Sequence, residues 1–148
     1  MMSMKQIGMS ILAVVLFGTT ANAIQLVTVD EAALPDEPIL ERRGSPTRRP
    51  EIMLLSPAPN AGLVRSPLTF KIRFKAHGGA VIDRDSILIT YRKMPSVDLT
   101  QRMLPFIGSE GIEIPNANLP PGVHHFRAEL KDADGRVGFG DFTIRVAK

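Results

Sequence analysis

The sequence predicts an all-β fold, a two-sheet antiparallel sandwich of about seven short strands spaced roughly 8 to 12 residues apart. Three observations carry this. From Leu68 to Lys75 every even position is apolar and every odd one polar or charged, the period of a half-buried strand. His124, Phe126, Ala128 and Leu130 alternate with His125, Arg127 and Glu129, and Asp132-Ala133-Asp134-Gly135 then turns the chain toward a row of Phe142, Ile144 and Val146. No segment carries a long apolar stripe of helical period.

At 148 residues the chain has one domain's length, enough to bury a core without cross-links, and it has no cysteine. Residues 1–23 read as a secretory signal. Lys5 is the one charge before the apolar run Ile7–Phe17, and Ala21-Asn22-Ala23 offers the small residues that signal peptidase accepts after Ala23. That run is about 11 residues, short of the roughly 20 needed to span a bilayer, so an uncleaved anchor is the lesser reading and no membrane span is expected after cleavage. Without a cysteine after the small residues, a lipid anchor is not expected. An exported domain without disulfides must be held by its core, which fits the bacterial periplasm. Removing Lys5 lowers the formal charge from +3 to +2. From Glu51 onward 13 Lys or Arg and 10 Asp or Glu are spread along strand positions. That is a solvated sheet face; without aromatics among the basic residues, nucleic acid is not an expected partner.

Taken in order, residues 24–50 are rich in proline and charge, with acids first (Asp30, Glu31, Asp36, Glu37) and arginines later (Arg42, Arg43, Arg48, Arg49). Two readings stand: a flexible tether, or a docking arm that folds on a partner through Ile24, Leu26, Val27, Val29, Leu34, Ile39 and Leu40. The sandwich is expected over residues 51–148. Ile52–Leu55 is a short strand ended by Ser56-Pro57-Ala58-Pro59-Asn60-Ala61-Gly62, and Leu63-Val64 offers a bridging strand before Pro67. After the Leu68–Lys75 strand, Ala76–Ala80 is a turn or an insertion loop, and Ile82–Ser86 leads into a strand with Ile87, Ile89 and Tyr91 on one face. Val97–Thr100 reads as strand, the alternative being a helical turn capped by Asp98 that sets Leu99 and Met103 on one side. Pro105–Gly111 is a loop, Ile112–Ile114 a short strand, and Pro115–Asn118 a connection. Pro120-Pro121-Gly122 makes the corner before the strand containing His124.

Leu119-x-x-Gly122-x-His124-x-Phe126-x-Ala128-x-Leu130-x-Asp132-x-x-Gly135 resembles the sixth strand and following turn of bacterial immunoglobulin-like and fibronectin type III-like domains. Ser56–Gly62, Ser66-Pro67 and the Phe70–Phe74 strand resemble the opening of such domains, and Val97–Thr100 their strand after the first hairpin. The resemblance covers 51–148 and implies an immunoglobulin-like sandwich in which His124 bonds back to the corner. The arrangement also resembles a group of small exported proteobacterial proteins. It does not imply an activity, since these domains serve as spacers, adhesion modules and binding surfaces alike.

The chemistry-bearing residues are few. His124 points inward, His125 outward, and His77 sits in a turn, so the three histidines do not converge as metal ligands would. The copper-resistance sandwich proteins are similar in scaffold over Ser56–Phe74, but the expected mature chain begins at Ile24 without their N-terminal histidine and has no Met-rich loop. Asp83 and Asp85 flank Arg84, and Asp132 and Asp134 form an ordinary turn, short of the six to eight oxygens calcium takes. Ser66, Ser86, Ser96 and Ser109 lie in no nucleophile motif. No catalytic, cofactor or metal residue is assigned. The expected function is a non-enzymatic periplasmic immunoglobulin-like module, structural or binding an unidentified envelope protein; the alternative is a ligand-binding sandwich for a metal (copper or calcium) or a glycan.

Overall fold

Alternation sorts each long strand into a buried and a solvated row. The computed structural model describes residues 22–40 and 48–148. Its strands are Ile24–Gln25 (β1), Glu51–Ser56 (β2), Leu63–Val64 (β3), Leu68–Lys75 (β4), Ile82–Tyr91 (β5), Val97–Asp98 (β6), Gly111–Asn118 (β7), Gly122–Asp132 (β8) and Val137–Val146 (β9). Single helical turns stand at Val29–Ala32 (α1) and Thr100–Met103 (α2), the latter followed by a 3-10 turn at Leu104–Phe106. In β4, Leu68, Phe70, Ile72 and Phe74 are buried; Ile87, Ile89 and Tyr91 of β5 and His124, Phe126, Ala128 and Leu130 of β8 do the same. In β9, Ile144 and Val146 are buried and Phe142 packs half-buried against the core.

The smaller sheet has the order β1-β7-β4-β2 and the larger β3-β9-β8-β5-β6. Their inner rows form one core, in which Phe70 of β4 meets Phe126 of β8 with ring centroids 5.9 Å apart. The pairings are antiparallel except at two edges, where β1 joins β7 and β3 joins β9 in parallel. Among the described residues the strands thus number nine: β3 stands where a bridging strand was expected, and β1 is an addition to the expected set. Pro50 crosses the larger sheet at Gly138, where a side chain would start 2.1 Å from the Pro50 carbonyl oxygen, so only a glycine lets the backbones approach this closely.

The all-β expectation holds, and several boundaries move. β7 continues through Pro115–Asn118, expected as a connection. Pro115 has no N–H for the ladder, and the register accordingly shifts between the Phe70–Ile114 and Leu68–Ala117 pairs, which lets pairing resume with Ala117 in the core. Ile82–Ser86 is the first half of β5, separated from the second by a bulge where the Ser86 hydroxyl accepts from Lys131 N at 2.7 Å. Over Val97–Met103 the chain uses both readings in succession: two strand residues, then a turn in which Asp98 accepts from Thr100 N at 2.8 Å and Leu99 and Met103 are both fully buried.

The largest correction concerns the arm. Residues 24–40 do not form a free tether, because Leu26 and Val27 are fully buried in the core of this same chain. The leader lies outside the described residues except for Asn22 and Ala23, and so do 41–47 of the arm. Among the described residues no helix is long and apolar enough to cross a membrane.

Candidate functional site: the N-terminal strap and its basic cradle

Residues 24–40 form a strap that joins the two sheets. It starts as β1, pairing Ile24 with Ala117 at the edge of the smaller sheet, and Leu26 N donates to Asn118 O at 3.0 Å. Leu26 and Val27 then fill the core. Thr28 stops the extended run and opens α1 with a capping box: Glu31 N donates to the Thr28 hydroxyl at 3.2 Å, and Thr28 N to the Glu31 carboxylate at 2.9 Å. Beyond Leu34 the strap reaches the larger sheet, where Met94 N donates to Pro35 O at 2.8 Å and Asp36 bridges antiparallel to Lys93.

Acids on the strap meet bases on the sandwich. Glu31 takes a fork from Arg102 of α2, at 2.8 and 2.5 Å, while Arg102 Nη1 also donates to Leu26 O at 2.9 Å. Lys93 Nζ donates to Asp36 at 2.6 Å. Arg92 Nε donates to Glu37 at 3.2 Å, and the guanidinium also reaches Asp141 at 3.4 Å and Pro38 O at 3.5 Å. The side chains of Arg92 and Lys93 are only 5% exposed. Buried cations left unpaired would be costly, so the strap carboxylates are part of what lets them sit there. Hydrogen bonding from Arg102, opposed by burial and helped by Thr28, lowers the Glu31 pKa to about 2. The bond from Lys93 likewise holds Asp36 below its ordinary value.

Beneath the strap lies the buried pair Tyr91 and His124. His124 Nε2 is 2.7 Å from Pro120 O, and Nδ1 is 2.9 Å from the Tyr91 hydroxyl. Burial pushes the His124 pKa down, against the pull of the Pro120 carbonyl, so the ring is neutral at pH 7. The Pro120 carbonyl can only accept, so Nε2 carries the proton and Nδ1 accepts from Tyr91. Burial, with the charges of Asp36 and Glu31, raises Tyr91 to about 12. Lys93 Nζ lies 5.4 Å from the Tyr91 ring centroid, a cation over an aromatic face. Every polar atom of this pair is engaged, and the arrangement locks the corner where β8 begins.

The other residues weighed in the sequence do not converge. His77 pairs with Glu51 at 3.0 Å, and His125 meets Thr143 at 3.0 Å on the outer face of the larger sheet. Asp83 accepts from Asp85 N at 3.1 Å within its own loop. Asp132 accepts from Asp134 N and Arg136 N and pairs with the Arg136 side chain at 2.8 Å. Burial works against its ionisation, and the Arg136 bonds outweigh it, leaving the Asp132 pKa lowered. The Ser66 hydroxyl is spent between Asn118 and Leu119 N. No group of three His, Cys, Asp or Glu suited to a metal occurs among the described residues. Three open depressions, of about 480 Å³ beside Ser66 and Lys148, 460 Å³ beside Asp83 and Lys131, and 290 Å³ beside Arg73 and Glu110, are lined by neither Tyr91 nor His124.

The cradle of Arg92, Lys93 and Arg102 was not legible as a site. The available signal was small: two adjacent cations that break the alternation after Tyr91, and an arm whose acids precede its arginines. Comparison with protein-family models, with curated proteins and with solved structures gives no match.

Proposed function

We propose that the chain is a non-enzymatic immunoglobulin-like module of the bacterial periplasm, exported by residues 1–23 and engaged with another envelope protein. The strand orders β7-β4-β2 and β9-β8-β5-β6 support the immunoglobulin-like part, because they place three strands opposite a sheet built around the fifth, eighth and ninth strands, as Greek-key sandwiches do. Cleavage after Ala23 is supported by β1 starting at Ile24, so that the mature chain would begin with its first strand.

The observation that carries the binding reading is the outer face of the larger sheet. Arg127 lies over the Phe139 ring at 5.7 Å and is clamped by Asp141 at 2.8 and 3.0 Å. Leu88, Val123 and Val137 are exposed on the same sheet. A held arginine, a half-exposed aromatic ring and scattered aliphatics are the mixture that protein interfaces favour over bulk surface. The test is capture from envelope extract with the mature chain, with Phe139→Ser and Arg127→Ala beside it. Loss of one reproducible partner in both variants, with unfolding curves unchanged, is expected. Equal recovery by all three proteins would overturn the reading.

A further inference from the structure

Asp141 is shared by two arginines. Its Oδ1 accepts from Arg127 Nε at 2.8 Å and from Arg92 Nη1 at 3.4 Å, while Oδ2 accepts from Arg127 Nη2 at 3.0 Å. Arg127 thus holds the carboxylate by a two-pronged fork, and Arg92 touches it at the outer limit of a hydrogen bond. The strap keeps Arg92 at that distance. Glu37 accepts from Arg92 Nε at 3.2 Å and Pro38 O from Nη2 at 3.5 Å, so two cations face two carboxylates. The charges reach one another: the Arg127 pKa is raised, first by its bond to Asp141 and against burial, with the charges of Asp141, Glu129 and Glu37 adding to it. Among the described residues the carboxylates that reach Arg92 are Glu37 and Asp141. Without Glu37, Arg92, whose side chain is 5% exposed, is left with Asp141, and Arg127, at 18%, lies nearer to water. A cation without a partner costs more where it is more deeply buried, so Arg92 draws Asp141 away and Arg127 yields it.

We propose that Glu37 apportions Asp141 between the two arginines, so that the strap, by holding Arg92, positions Arg127 on the outer face of the larger sheet. With Glu37 in place the fork is closed and the Arg127 cation stays over the Phe139 ring. With that charge removed, Asp141 turns to Arg92 and Arg127 is released. Glu37 and Arg92 are thus positioning residues, acting on the outer face through Asp141. The consequence for a partner rests on the outer-face reading above: an arginine ordered before contact loses less side-chain freedom on binding, so a partner held by Arg127 binds more tightly while Glu37 is docked. The division of Asp141 itself does not rest on that reading.

The experiment reads the fork directly. In the isotope-labelled mature chain the Arg127 Nε–H signal, identified by its loss in Arg127→Lys, reports the fork through its exchange with water. In Glu37→Ala this exchange is expected to be roughly 3–10-fold faster, the loss of about one charge-assisted bond. The Leu26 amide should keep its protection, because Glu31, Asp36 and the buried Leu26-Val27 pair still hold the strap. Adding Arg92→Met removes the competing arginine and fills its space with an apolar side chain, and the Arg127 rate is expected to return to the wild-type value. Arg92→Gln, which keeps donors without the charge, takes its place where methionine does not fold. A merely structural role for Glu37 would not be mended by a second substitution. An unchanged rate in Glu37→Ala, or a raised rate that stays raised without Arg92, would overturn the proposal. Capture from envelope extract with the same chains tests what the division serves. Loss of an Arg127-dependent partner in Glu37→Ala and its return in the double variant would tie the strap to binding. Wild-type capture indifferent to Arg127→Ala would remove the outer-face reading alone, and the Arg127 exchange rates would still decide the proposal.

Discussion

Replacing Glu31 by glutamine removes one charge from the strap and nearly preserves its shape. The amide oxygen still accepts from Arg102 or from Thr28 N, so the change isolates the ionised carboxylate. A fall in pKa from 4.5 to about 2 corresponds to about 3 kcal/mol of stabilisation when fully expressed. Arg102 is 34% exposed, so water screens the pair, and about 1–2 kcal/mol remains as the expected loss. The folded-state pKa lies below the unfolded one. The contribution is therefore complete above about pH 5 and disappears as the pH falls through 4.5 toward 2. Asp36 titrates in both proteins and cancels in the comparison. The assay is hydrogen exchange at the Leu26 amide, which donates to Asn118 and opens with the strap. At pH 7 the variant should exchange roughly 5–30-fold faster under fast reclosing, and the gap should narrow steadily on acidification. Equal protection at pH 7, or a gap that stays constant down to about pH 2.5, would refute the claim that the strap is held by this charge.

Two further outcomes follow from the packing. Tyr91→Phe leaves His124 Nδ1 buried without a donor and should cost about 1–3 kcal/mol in urea unfolding; a change under about 0.3 kcal/mol would mean that the bond does not hold the corner. Gly138→Ala sets a methyl 2.1 Å from the Pro50 carbonyl oxygen, and since backbone must move, a loss of about 1–3 kcal/mol with displaced Pro50 and Ile52 resonances is expected; an unperturbed spectrum would contradict the close crossing.

What the sequence discloses depends on the distance over which the deciding contact acts. β4, β8 and β9 are legible because a sheet with one wet face writes its burial into every second residue. The turn at Asp132–Gly135 is legible too: Gly135 takes φ 79°, and the aspartate at its start bonds the backbone two and four residues on. The His124 corner was likewise expected, and its bond runs to Pro120. Pro115 misleads, since a residue without an N–H reads as a strand end, yet the ladder steps around it. The strap is illegible for a different reason. Leu26 and Val27 are adjacent rather than alternating, and what buries them stands far along the chain. The same holds for Arg92 and Lys93, whose partners precede them by 55 and 57 positions.

The contact that opens the strap also sets an order in time. Gln25 bonds to Asn118 across 93 positions, and a chain made from its N-terminus at about 5–20 residues per second needs roughly 5–20 s to produce the second partner after the first. For that interval Ile24, Leu26 and Val27 have no edge to join, and they are shielded only by the acids that follow. Asp30, Glu31, Asp36 and Glu37 then act as gatekeepers that keep a short apolar strand from pairing with neighbours. The carboxylates that fasten the strap in the folded chain thus also stand directly after its apolar start, where charge opposes mispairing.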